Sequence, residues 1–299
     1  MTDTRIALLP DRGVVTVMGE DAEKLLQGII TNDMALLQEQ PAIHAGLLTP
    51  QGKILFSFFV VKAPGGFCLE AARNKTAELS DRLNLYKLRV KAEILDASAD
   101  HTVAAFWGGP YALRNGGKPP LWYADPRLPD IGFRELVTMR TDWALGGENA
   151  NTATQDDYHA HRIALGVPEG GKDYAFGDTF PHEALFDQLH GVSFEKGCYV
   201  GQEVVSRMAN RGTTRKRVVP VIGETALPAS GAEIVAGGVT IGSLGSTAGT
   251  RGLALLRLDR AAEMSGRGAG LFAGEVPVRI ELPSWAHFGP SAKNSSASA

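Results

Sequence analysis

Residues 196–203 read Lys-Gly-Cys-Tyr-Val-Gly-Gln-Glu and hold one of the chain's two cysteines. Gly197 and Gly201 bracket Cys198 with residues suited to tight turns and close backbone approach, which places the sulfur on a bend. From Gly201 the pattern turns helical: Val204, Val205 and Met208 share a face, Glu203 stands four residues before Arg207, and Gly212 supplies a stop. Cys198 is thereby expected just ahead of a helix N-terminus, whose partial positive charge, with Lys196 nearby, favours thiolate over thiol. A thiolate so placed is a nucleophile or a soft-metal ligand. The bland alternative for a free cysteine is burial as a small hydrophobe. Cys68 fits that alternative, lying in Phe67-Cys68-Leu69 within an apolar strand after the Pro64-Gly65-Gly66 turn.

The elements that must carry this octet are legible as alternating strands and helices. A strand is expected over 14–18 and a helix over 22–29 behind Asp21 as its cap, followed by a polar Asn32-Asp33 turn. Apolar runs 43–48 and 54–61 flank Thr49-Pro50-Gln51-Gly52, a hairpin turn, and a third strand over 67–71 extends the meander. An amphipathic helix over 76–88 and a half-buried strand over 90–94 complete an α+β half with antiparallel connections. Residues 108–120 and 145–156 read as surface loops, and 156–165 as a helix. Beyond Arg217, β-prone pieces at 218–222, 233–235, 239–244, 252–258 and 276–282 predict a small barrel or sandwich. Residues 289–299, rich in serine and alanine, read as a disordered tail.

Composition narrows the function classes. The chain has 299 residues, 44% hydrophobic and 21% charged, enough for a sizeable core in two or three folding units. Its net charge of -3 argues against a protein that coats nucleic acid or an anionic membrane over its whole surface. The longest apolar run, 54–61, is too short to span a bilayer, and the polar start lacks the apolar core of a secretion signal; a cytoplasmic protein with no membrane partner is expected. Two cysteines make neither a disulfide framework nor a four-thiolate metal site, so no metal ligand set is assigned. Phosphate-cradling glycine loops and the G-x-S-x-G elbow are absent from the sequence. His159 and His161, two apart on a helix, fall on different faces. Arg207, Arg211, Arg215, Lys216 and Arg217 form a basic run beside the octet that suits an anionic ligand tail or a phosphate.

The octet, continued through Arg207, Arg211-Gly212 and Arg215-Lys216-Arg217, resembles the signature of the YgfZ-type folate-binding proteins, which include mitochondrial iron–sulfur assembly relatives. Supporting segments are Leu26-Gln27-Gly28, Thr31-Asn32-Asp33, the 48–53 hairpin, Tyr86-Lys87-Leu88-Arg89, Arg162-Ile163, Gly166-Val167-Pro168 and Pro181-His182-Glu183-Ala184. The resemblance implies an α+β, three-lobed fold like the glycine-cleavage T-protein, with antiparallel sheets and helices and a C-terminal β-barrel. It divides the chain into a folate-binding region of two intertwined subdomains over 1–211, a barrel over 212–288 and the tail.

It also implies a tetrahydrofolate-binding accessory factor for iron–sulfur cluster assembly or repair. Cys198 would act as thiolate on a transient cluster, a partner or a folate intermediate, with Lys196, Gly197, Tyr199, Gly201, Gln202 and Glu203 as its motif. Glu183 is the candidate for the pterin, Arg162 or Arg207 for the anionic tail, and Asn32, Arg89 and Gln202 for the rest of the lining. Partners would be folate and iron–sulfur assembly or client proteins. The rival readings are a tetrahydrofolate-dependent one-carbon transferase and an accessory factor in tRNA modification, with the basic run on phosphates. Against the transferase, the paired aspartates of the T-protein are matched here by Phe56 and Ser57, neither of which supplies a carboxylate.

Overall fold

The structure, a computed structural model, describes residues 4–109, 121–138, 150–212 and 214–288. The chain opens with β1 (Thr4–Leu8), β2 (Arg12–Met18), α1 (Ala22–Ile29), β3 (Ala42–Leu48), β4 (Ile54–Ala63), β5 (Gly66–Ala72), α2 (Thr76–Lys87) and β6 (Glu93–Asp96). Strands β3, β4, β5, β2 and β6 lie in that order in one antiparallel sheet. Alternation along β4 sends Phe56, Phe58 and Val60 into a core with Leu25 and Leu26 of α1 and Leu79 and Leu83 of α2, leaving Ser57 and Phe59 on the opposite face. Asp21 precedes α1 without capping it; its carboxylate accepts instead from the Lys91 backbone N–H at 3.0 Å.

The chain continues through β7 (His101–Trp107), β8 (Trp122–Ala124), β9 (Phe133–Thr138) and β10 (Ala150–Thr152), which join β1 in a second sheet of order β10-β1-β7-β9-β8. Within the span expected as a loop over 145–156, residues 150–152 pair in parallel with β1, a departure from purely antiparallel sheets. Most of the loop expected over 108–120, and residues 145–149, lie outside the described residues.

A buried ionic network joins these two sheets. Glu70 of β5, fully buried, accepts from Arg12 of β2 at 2.9 Å, from Tyr123 of β8 and from Arg134 of β9. Arg134 also reaches Tyr158 and pairs with Asp125, which holds Arg127 at 2.8 Å. The Phe59 ring sits 4.9 Å from both the Arg127 and the Arg134 guanidinium carbons. Burial alone would push the Asp125 carboxyl up; Arg127 and then Arg134 outweigh it and hold it well below the usual carboxylate range.

After α3 (Gln155–Ala164) and α4 (Gln202–Arg211) come β11 (Lys216–Gly223), β12 (Glu233–Ala236), β13 (Val239–Ala248), β14 (Arg251–Arg257), α5 (Leu258–Gly266), β15 (Leu271–Ala273) and β16 (Val276–Ile280). The strands close as a barrel in the order β11-β14-β13-β12-β15-β16 around Val219, Val221, Ile234, Leu244, Ala254 and Leu256. The five expected β pieces are all present. β15, three residues long, and α5, whose Leu258 reads as the end of β14, went unanticipated. Two compact units divide the chain: one runs to Tyr158 and includes Leu189–Val204, the other takes His159–Gln188 and everything from Val205. The expected tail over 289–299 lies outside the described residues.

Candidate functional site

Segment 189–204 is stitched into the first unit by side chains distant in sequence. The Thr31 hydroxyl donates to the Gly191 carbonyl at 2.6 Å and accepts from the Gly46 N–H at 2.8 Å. Asn32 donates to the His44 and His190 carbonyls, both at 2.7 Å, while its oxygen accepts from the Asp33 N–H. His44 Nδ1 lies 3.0 Å from the Leu189 carbonyl and therefore carries the ring proton, leaving Nε2 to accept from the Ser57 hydroxyl at 3.3 Å. Burial, and then the charge of Arg127, lowers the His44 pKa from 6.5 to about 3.

Because the folded value lies below the unfolded one, the stability His44 contributes is complete above pH 6.5 and is lost as the pH falls from there toward about 3. The slope is about 1.4 kcal/mol per pH unit. In His44→Asn, whose amide keeps a donor for Leu189, urea midpoints are expected to lie below wild type near neutral pH. The gap should narrow steadily on acidification; a constant gap would contradict the assignment.

The octet itself alternates anchors and exposed positions. Lys196 is buried, and its ammonium donates to the carbonyls of Gln27, Ile30 and Asn32, each at 2.8 Å, at the C-terminal end of α1. Burial lowers its pKa to about 8, with Asp33 opposing. This corrects the task expected of Lys196: all three donors are spent on α1 and its following turn, where the carbonyl end of a helix attracts a cation, and none is left for the sulfur. The Tyr199 ring is buried 5.3 Å from that ammonium, and burial pushes its hydroxyl up to about 12. Between these anchors Gly197 and Cys198 are exposed. Cys68, by contrast, is buried in β5, and burial raises its pKa to about 11.

Gly201 fixes the far end of the octet. It has φ +81°, and a Cβ there would lie 2.6 Å from the Thr49 carbonyl oxygen and 3.0 Å from the Gly52 Cα, both backbone atoms of the 48–53 hairpin. Gly52, at φ +79°, would place an added Cβ 2.9 Å from the Val204 Cβ. Gly201→Ala is expected to cost about 2–4 kcal/mol, from the left-handed conformation and the overlap together. Gly197, with nothing within 4 Å of its added Cβ, should accept alanine almost neutrally. Denaturant unfolding of the two variants checks the contrast. Gln202 begins α4, half-buried, and Glu203 is exposed beside it. Cys198 thus precedes α4 by four residues.

The residues nominated for folate divide between the two units. Asn32 and Arg89 belong to the first unit; Arg162, Glu183 and Arg207 belong to the second. Arg162 is fully buried and spends its guanidinium on Asp173, Glu169, Ser246, His159 and the Val167 carbonyl, a hub that corrects its assignment to a ligand tail. Asn32 is corrected in the same way, its donors being committed to backbone. One Glu183 oxygen accepts from the Phe180 N–H, and Arg89 and Arg207 are exposed. The basic run is interrupted, since Arg217 is buried against Asp187 with a bidentate pair at 2.8 Å. Of the matched aspartate positions, Phe56 is core and Ser57 binds His44. Sequence reasoning quoted Thr31 only within the Thr31-Asn32-Asp33 segment and missed His44; their partners Gly191 and Leu189 lie 160 and 145 residues away.

Comparisons with known proteins place this architecture. The structure matches the glycine cleavage system aminomethyltransferase T from Bartonella henselae with a TM-score of 0.75, covering 96% of this chain and 87% of that one at 16% identity. The chain therefore has the T-protein-like α+β fold. The family described as the CAF17 C-terminal beta-barrel domain matches residues 215–288, the closed barrel.

In sequence, the human mitochondrial iron–sulfur cluster assembly factor IBA57 is 33% identical over 274 residues, 83% of this chain and 76% of the relative. The mitochondrial IBA57 homologue of Mycosarcoma maydis is 35% identical over 234 residues, 73% of this chain. The chain belongs to the IBA57 family. It spans 57% of the length of the Mycosarcoma relative. The expected cytoplasmic location is overturned, because these relatives are mitochondrial by name.

Proposed function

We propose that this protein assists iron–sulfur cluster assembly, with Cys198 as the thiol that holds a cluster in passage. The observation that carries the reading is the outward presentation of Cys198 between two buried anchors, Lys196 and Tyr199. A thiolate ligand must be reachable, and a rigid crest presents it without an ordering cost on each encounter. Among the described residues no group of three or more His, Cys, Asp or Glu side chains could hold a metal. A cluster at Cys198 would therefore take its other ligands from a second molecule, a protein partner or a small thiol, which an outward sulfur permits.

Tetrahydrofolate is the ligand class that the T-protein-like fold suggests. The residues nominated for it fit poorly, because Asn32 and Arg162 have their donors engaged within the protein. Exposed Arg89 and Arg207 could at most meet an anionic tail, and no step of this reading passes through folate. The test is whether the gene restores cluster-dependent enzyme activities in cells lacking their own copy, with a cluster-independent enzyme as control. Equal loss of both activities in the deletion would sink the reading.

A further inference from the structure

Away from the octet, Leu88 is held out against both its backbone and its solvation preferences. It follows the last residue of α2, is 87% exposed, and has φ 46° and ψ −107°. The Lys87 carbonyl accepts from the Val90 N–H at 2.8 Å, so 87–90 form a β-turn whose first corner is Leu88. That corner has the backbone of a type II′ turn, a position suited to glycine. A leucine there is strained, and its side chain recovers nothing by burial. Leu85, 68% exposed, stands three residues earlier on the same helix.

Beside Leu88 is a groove of about 670 Å³ lined by Asp21, Lys24, Leu88, Arg89 and Val90. Its carboxylate, Asp21, is engaged by the Lys91 backbone. Neither Lys24 nor Arg89 forms an ion pair among the described residues. The groove therefore combines a strained, solvent-facing apolar wall with two cations against one carboxylate, an excess of one positive charge among its lining residues.

We propose that this groove docks an acidic segment of a partner protein. An apolar side chain of the segment packs on Leu88 and Val90, and its carboxylates pair with Lys24 and Arg89. Charge complementarity selects the occupant: a small anion would satisfy the cations and leave both leucines in water, whereas a peptide segment satisfies both. The proposal stands apart from the cluster reading and does not involve Cys198.

The test uses the full chain with a photo-crosslinking residue at position 85, expressed in its native cells, with crosslinked peptides mapped by mass spectrometry. The expected result is one partner, crosslinked through a segment that carries at least two carboxylates near an apolar residue. Its yield should fall at least about tenfold in Lys24→Glu/Arg89→Glu. Crosslinks to phospholipid or to a second copy of this chain would overturn the proposal. So would a yield no greater than at the exposed control position Val239, or one indifferent to charge reversal. Leu88→Gly gives an independent readout: relief of the turn should leave the melting midpoint equal or higher while the crosslink disappears. A lower midpoint would show that Leu88 serves the fold instead.

Discussion

Replacing Cys198 by serine is expected to leave the melting midpoint within about 2 °C of wild type, since an exposed substitution free of packing or capping roles moves stability by only about 0.5 kcal/mol. The same variant should lose nearly all support of cluster-dependent enzymes. The separation follows from the local geometry. Lys196 is fixed by three carbonyls, Tyr199 by burial and Gly201 by the hairpin backbone, so the crest keeps its shape whichever atom replaces the sulfur. A hydroxyl remains protonated near neutral pH and is a poor ligand for iron, so the chemistry is lost while the shape is kept. Full complementation by the serine variant would remove Cys198 from the mechanism.

Glu70→Gln should have the largest effect on stability, about 3–5 kcal/mol, because it leaves Arg12 and Arg134 buried without their shared carboxylate. The cost arises from the stranded guanidinium groups and not from one lost contact, so it should far exceed that of a surface pair. Glu78, which pairs with Lys75 but is 51% exposed at its side chain, provides the control. Glu78→Gln should cost less than about 0.5 kcal/mol. Urea unfolding of the two variants measures the difference; equal small costs would mean that the network between the sheets carries little of the fold.

The two variants also show where sequence reading reaches its limit. Short-range patterns were legible: the β3–β4 hairpin, the helices near 76–88 and 156–165, the helical face after Gly201, and the glycines framing Cys198 all declare themselves within a few residues. The partners that give polar residues their tasks did not. Lys196 finds its acceptors 164–169 residues earlier, and Arg134 meets Glu70 across 64 residues. Nothing in either neighbourhood marks these pairings. Asn32 and Arg162 stand as ligand candidates on the family resemblance alone, and only the fold shows that backbone and carboxylates already claim them. Leu88 illustrates the same limit in backbone terms, since its sequence carries no sign of a turn that glycine would favour.

The central claim is tested most directly by counting iron and acid-labile sulfide on the purified chain after anaerobic reconstitution with ferric iron, sulfide and a small thiol to complete the ligand set. The wild-type chain should retain both, with sulfur-to-iron charge-transfer absorption, and the Cys198→Ser chain should retain neither. Equal retention by the two chains would contradict the claim that the outward thiol on the crest is where the cluster is held.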